Sequence, residues 1–110
     1  IGVNAGQQVT SGACNTLLGY GAGDSITTGS VNIALGLNAM GSGTATGDYN
    51  IALGNNAAKD VTSGASNIIL GNGAGGAITT GNKNIILGIS AGDAGTGITE
   101  NVIIGSYAGS

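Results

Sequence analysis

The motif Asn-x-x-(Leu/Ile)-Gly recurs at Asn15, Asn32, Asn50, Asn67, Asn84 and Asn101, with spacings of 17, 18, 17, 17 and 17 residues. Gly2 lies 17 residues before Gly19 and is the tail of an earlier copy. Written as columns, the repeat reads N-I-(A/I)-L-G-x-x-A-G-x-x-(I/V)-T-(T/S)-G-x-x. Gly recurs at 2, 19, 36, 54, 71, 88 and 105, and Ala at 5, 22, 39, 57, 74, 91 and 108. Thr is read at 10, 27, 44, 62, 79 and 96. Such a fixed period marks a repeat architecture. The chain therefore reads as one tandem-repeat domain over residues 1–110, with copies starting near 15, 32, 50, 67, 84 and 101.

The period excludes helices. Gly in a helix interior costs ~1 kcal/mol relative to Ala, and each copy carries at least two glycines among apolar clusters of three or four residues. Short β-branched runs closed by Gly, such as Asn67-Ile68-Ile69-Leu70 and Asn84-Ile85-Ile86-Leu87, read instead as strand then turn. Ile26–Gly29, Val61–Gly64 and Ile78–Gly81 read as a second short strand. Two strands and two corners make one coil of a parallel β-solenoid, all-β, with about six coils stacked ~4.8 Å apart into a rod roughly 30 Å long. The extra residue within Gly41–Tyr49 is expected to bulge at a corner.

Alternation along the strand sets two faces against each other. The sequence reading places Thr16 with Ile33, Leu35, Ile51, Leu53, Ile68, Leu70, Ile85, Leu87, Val102 and Ile104 inside the coil. The column between them, Leu17, Ala34, Ala52, Ile69, Ile86 and Ile103, then points outward. An exposed aliphatic column usually marks an interface, so this column is expected to bury itself against copies of the same chain.

Composition removes other classes. There is no His or Arg, only two Lys, and a net charge of −3, so no basic footprint for nucleic acid exists. Charged residues are 6% of the chain, against roughly 25% in ordinary soluble domains. No apolar run approaches the ~20 residues of a membrane-spanning helix, so no membrane insertion is expected. Collagen is excluded by the absence of Pro and of a G-X-Y period. Disorder is disfavoured by the regular supply of Ile, Leu and Val.

The motif Asn32-Ile33-Ala34-Leu35-Gly36-Leu37-Asn38-Ala39 and its copies resembles the head repeats of YadA-type trimeric adhesins. It is similar also to the tandem repeats of trimeric bacteriophage tail fibres, most closely at Asn15-Thr16-Leu17-Leu18-Gly19-Tyr20-Gly21-Ala22. The resemblance covers the whole chain. It implies a left-handed parallel β-roll, three chains side by side, and a role in a surface-exposed fibre. The YadA-type repeat is shorter than 17 residues, and the attachment of such a fibre is expected to lie outside this segment or to belong to a different system.

Residues that could carry chemistry read mostly as structure. Gly71-Asn72-Gly73-Ala74-Gly75-Gly76 matches G-x-G-x-x-G, but another Gly-rich strand follows where a dinucleotide site needs a helix and a later acidic residue. The Asn column is expected to bond backbone at the corner or the Asn one coil away. The Thr column forms a single row, not the paired array of flat ice-binding solenoids. Asp24, Asp60 and Asp93 fall at scattered corners as solvated charge, without the convergence that calcium or a glycosidase pair requires. Lys83 and Glu100 share a column one coil apart and are expected to pair. Cys14 is expected near the surface, and a lone Cys supports no disulfide framework. No Ser has a base beside it. Tyr20, Tyr49 and Tyr107 lie at scattered columns.

The expected function is therefore structural and adhesive, without catalysis, cofactor or metal. The chain is read as a rigid homotrimeric rod of a phage tail fibre or bacterial surface adhesin, at a virion surface or outside the cell. Its expected partners are itself and a cell-surface glycan or protein receptor. The alternative is an extracellular filament subunit that stacks end to end, since both ends fall mid-repeat. A glycan-cleaving tailspike with carboxylates contributed by adjacent chains ranks third.

Overall fold

In a computed structural model describing residues 1–110, the chain winds into a β-solenoid of about five turns, 33 × 21 × 18 Å. Each turn contributes one three-residue strand to a single parallel sheet. The strands are β1 (Thr16–Leu18), β2 (Ile33–Leu35), β3 (Ile51–Leu53), β4 (Ile68–Leu70), β5 (Ile85–Leu87) and β6 (Val102–Ile104). Their order is sequential, and identical columns face one another: Ile51 opposes Ile68, Ala52 opposes Ile69, and Leu53 opposes Leu70. Each successive turn lies directly over the last, as the repeat period requires.

The second strand is reduced to a trace. Only Ile26 and Ala45 form a parallel bridge outside the sheet. Elsewhere that side is held by a bifurcated ladder in which one carbonyl serves two amides. Thr79 O accepts from Thr62 N at 2.9 Å and from Gly64 N at 3.1 Å. Gly64 bends the chain so soon after Thr62 that no further strand pairing develops. The extra length lies where expected, between Ser42 and Ala45. Ser25 Oγ holds that bulge by donating to Met40 O at 2.9 Å and Ser42 O at 3.0 Å. Gly43 and Thr44 are both additional there, and one residue is lost before Asn50, so Thr46, not Thr44, takes the Thr column: Thr46 N donates to Thr62 O at 2.8 Å, and Thr46 stands four residues before Asn50 where Thr62 stands five before Asn67.

The largest correction concerns which way the strands face. Ala34, Ala52, Ile69 and Ile86 are fully buried inside the coil, and Leu17 and Ile103 pack partly buried against them. The column read as an oligomer interface is the core. The column pairs read as core face outward: Leu18, Ile68, Ile85, Val102 and Ile104 are exposed, and Ile33, Leu35, Ile51, Leu53, Leu70 and Leu87 are half-buried. A three-residue strand sends one side chain in and two out. The narrow interior takes only that one, beside Ala22, Ala39, Ala57, Ala74 and Ala91 and the inward Ile26, Val61 and Ile78.

The core column is matched in size to the residue six positions later. Leu17, Ile69, Ile86 and Ile103 are followed by Gly23, Gly75, Gly92 and Gly109, whereas Ala34 and Ala52 are followed by Met40 and Ala58. A Cβ on Gly75 would stand 3.0 Å from Ile69 Cδ1, and one on Gly92 3.0 Å from Ile86 Cδ1. Where the strand supplies bulk, the opposite wall gives way, as close packing demands. A similar exchange occurs near the C-terminus. Gly95 replaces the inward Ile or Val, and Ile98, at the place of an earlier corner glycine, fills the gap; a Cβ on Gly95 would lie 2.7 Å from Ile98 Cγ2.

Ile69→Ala should therefore cost ~2–5 kcal/mol, the range for truncating a buried aliphatic. Ile68→Ala, on the outer face of the same strand, should cost far less in the dilute, unassociated chain. Urea denaturation at low concentration checks this, and the reverse order would contradict the assignment of faces.

Candidate interaction surface

The corners that deliver the outer face are built by glycine and by a buried asparagine stack. Gly71 ends β4 at φ +134°, and a Cβ there would stand 2.4 Å from Gly88 O of the next turn. No side chain fits at that corner, which is why the column is invariant glycine from Gly2 to Gly105. This also accounts for the G-x-G-x-x-G match: its first glycine is a strand-ending corner.

On the other side of each strand, Asn32, Asn50, Asn67 and Asn84 are fully buried. Each Oδ1 accepts the backbone N–H of the next Asn in the column, from Asn32 N to Asn15 Oδ1 at 2.9 Å through Asn101 N to Asn84 Oδ1 at 3.1 Å. Each Nδ2 donates to a carbonyl across the corner: Asn50 to Gly64 O and Asn67 to Gly81 O, both at 2.8 Å. The Asn column thus makes both kinds of bond read from the sequence, to the corner backbone and to its neighbour one turn away. Its amides are consumed inside the turn, so they offer no surface to a ligand.

Between these corners the sheet presents two aliphatic columns. One runs Thr16, Ile33, Ile51, Ile68, Ile85 and Val102; the other runs Leu18, Leu35, Leu53, Leu70, Leu87 and Ile104. This outward apolar face is made of the two columns read as core, whereas the column expected to face outward is buried. Apart from Thr16 both columns are aliphatic, and both are at least partly exposed along their length, with Leu18, Ile68, Ile85, Val102 and Ile104 the most open; large apolar strips of this kind are the usual material of interaction sites.

Two further columns border the strip. Cys14, Val31, Tyr49, Ser66, Lys83 and Glu100 stand one residue before the Asn column, all with φ between +56° and +61°. This conformation costs a non-glycine residue ~1–2 kcal/mol and is a marked outlier for a β-branched residue such as Val31. On the opposite edge, one residue past the corner glycine, stand Val3, Tyr20, Leu37, Asn55, Asn72, Ile89 and Ser106, all exposed. The backbone ladder continues beneath both borders, with Val31 N donating to Ala13 O and Asn38 N to Tyr20 O, each at 2.9 Å.

The remaining polar residues are dispersed. Lys83 Nζ lies 3.2 Å from Glu100 Oε1 with both side chains largely in solvent, and such a pair contributes ~0–1 kcal/mol. Asp24, Asp60 and Asp93 are half-buried rather than fully solvated, and Asp24 Oδ1 is enclosed without a hydrogen-bond partner. Asp48, which the sequence reading passed over, accepts Ser30 N–H at 2.7 Å. The Thr hydroxyls turn to the backbone, as in Thr62 Oγ1 donating to Thr79 O at 3.1 Å. Cys14 is exposed and free.

No protein family, curated protein or solved structure matches the chain.

The Asn stack is open to a direct test. Asn67→Ala leaves Gly81 O, Asn50 Oδ1 and the Asn84 amides short of partners, and each unsatisfied buried group costs ~1–3 kcal/mol, so a loss of about 3–5 kcal/mol is expected. Asn67→Asp should destabilise still more at pH 7, placing a buried carboxylate against carbonyl oxygens. Burial raises that carboxyl's folded pKa above its unfolded value of ~3.9. The folded chain then binds the extra proton, so stability returns as pH falls and is lost as pH rises. Thermal unfolding of the two variants between pH 3 and 7 should show the difference between them shrinking in acid.

Proposed function

We propose that the chain is a rod-forming structural segment of a surface fibre, working by shape and repetition. Three parallel copies associate through the outer face of the sheet. The observation that carries this reading is the two-column aliphatic strip, from Thr16 and Leu18 at one end to Val102 and Ile104 at the other. Ile85 and Leu18 are 39% and 45% exposed, and Val102 and Ile104 exceed 60%. Burying aliphatic surface yields ~25 cal/mol per Å², and a second copy carries the same strip at the same axial period.

The resemblance to YadA-type adhesin heads and phage tail fibres fits this arrangement, with the aliphatics of the N-x-x-L-G motif turned toward the axis. The fibre belongs outside the cell or on a virion. It presents identical outer surfaces threefold, so that weak contacts with a cell-surface glycan or protein gain from avidity. The ladder of backbone hydrogen bonds between turns, which makes up most of the 65 in the chain, gives the rod its stiffness, and no catalytic step is assigned to it.

Sedimentation should report one species of three times the 10.3 kDa chain mass, constant over a wide concentration range. Mass that grows with concentration would favour a filament subunit, and a persistent monomer would overturn the proposal. Leu70→Lys with Ile85→Lys should dissociate the trimer into folded monomers that retain the β-type circular dichroism spectrum.

A further inference from the structure

The turns of a solenoid touch only their neighbours, so its stability is close to a sum over turns and the contacts between them. A turn with less apolar surface to bury gains less on folding, and the interior of this rod is unevenly filled. Each turn is counted from an Asn of the buried column, the first from Asn15. The first and fourth turns place two branched aliphatics inside, Leu17 with Ile26 and Ile69 with Ile78, and the fifth has Ile86 and Ile98. The second has Met40 among alanines. The third has only Val61, beside Ala52, Ala57 and Ala58. No other complete turn holds so little.

Backbone conformation adds to the deficit. The wall opposite the strand centre is Gly23, Gly75 and Gly92 in the first, fourth and fifth turns, with φ between +59° and +62°. In the second and third turns Met40 and Ala58 hold nearly the same left-handed conformation, at +50° and +51°, which is unfavourable for a residue with a Cβ. Met40 offsets that cost by filling the interior; Ala58 adds a single methyl. The neighbouring second turn also carries the bulge, where Gly43 and Thr44 are exposed.

The backbone ladder is not diminished there. Met40 N donates to Ala57 O at 3.0 Å, and Ala58 N donates to Ala74 O at 2.9 Å. The third turn is thus held in the stack at rest, and what it lacks is side chain to bury when it closes.

We infer that the third turn, residues 50–66, is an opening point built into the rod, where the stack parts locally while the better-filled turns on either side stay folded. It gives an otherwise stiff rod one yielding joint. The inference concerns the single chain and stands apart from the assembly proposed above.

Trypsin tests it, because the chain offers that protease only Lys59 and Lys83. Static exposure favours Lys83, whose side chain is 67% exposed, over the half-buried Lys59. Cleavage of a folded chain instead follows the population of the opened form when opening and closing are fast. Each rate is divided by that of the same bond in a short peptide of the same local sequence. Cutting after Lys59 should then be at least tenfold faster than after Lys83. Equal rates, as global unfolding would give, or faster cutting at Lys83 overturn the inference. The double variant A52I/A58G gives the third turn the pair that the fourth has in Ile69 and Gly75. With its β-type circular dichroism retained, it should be cut at Lys59 at least tenfold more slowly, with Lys83 unchanged; an unchanged rate at Lys59 overturns the assignment to the missing core. Should the double variant not fold, Val61→Ala serves in its place. It should speed cutting at Lys59 alone, and equal acceleration at both bonds overturns the inference.

Discussion

Everything in this fold depends on backbone hydrogen bonds between turns being kept in register over the length of the rod. No helix contributes, and each strand is only three residues long, so no single turn could persist in water alone. The stack supplies each turn with partners above and below, so that most contacts join residues far apart in sequence. Glycine and asparagine make this possible from opposite sides of the strand. Glycine lets adjacent turns approach to a spacing that a Cβ would forbid. Asparagine hands the polar groups of one corner to the next turn, so that a buried corner is left with little unsatisfied.

A consequence is the division of labour among aliphatic side chains. The interior is too thin for the usual hydrophobic core and is filled by alanine, by one strand residue per turn, and by an inward Ile or Val from the far wall. The bulkier aliphatics are surplus to that interior and stand outside. A chain that spends its Leu and Ile on the exterior of a sheet gains from them only when something covers that sheet. The proposed assembly is the part of the account that would cover that strip.

Much of this was legible in the sequence. The 17-residue period, the parallel stacking, the strand positions ending at corner glycines, the bulge after Gly41 and the role of the Asn column all follow from spacing and from the chemistry of Gly and Asn. The facing of the strands was misread, because alternation fixes which side chains share a face but not which face is inside. A signal against that choice was present: Leu17, Ile69, Ile86 and Ile103 are each followed six residues later by glycine, and Ala34 and Ala52 are not. Such compensation occurs only between groups that share an enclosed volume. The second strand was overestimated because Ile-Thr-Thr-Gly carries strand propensity, while the glycine two residues beyond the first Thr bends the chain before a second rung can pair. The column of Lys83 and Glu100 was legible from the spacing, but not that it stands beside the apolar face, because that face had been placed inside the coil.

The central claim is that each copy closes into one turn whose amides bond to the turn beside it. Residue-resolved amide hydrogen exchange tests it most directly. The account predicts strong protection recurring with the repeat at Ile33, Ile51, Ile68 and Ile85, whose N–H groups donate to the Asn of the following turn at 2.8–2.9 Å, and at Asn50, Asn67 and Asn84, which donate to an Asn side chain. Gly43 and Thr44, in the bulge, should exchange freely. Rapid exchange along the Asn column, or protection without the 17-residue recurrence, would contradict it.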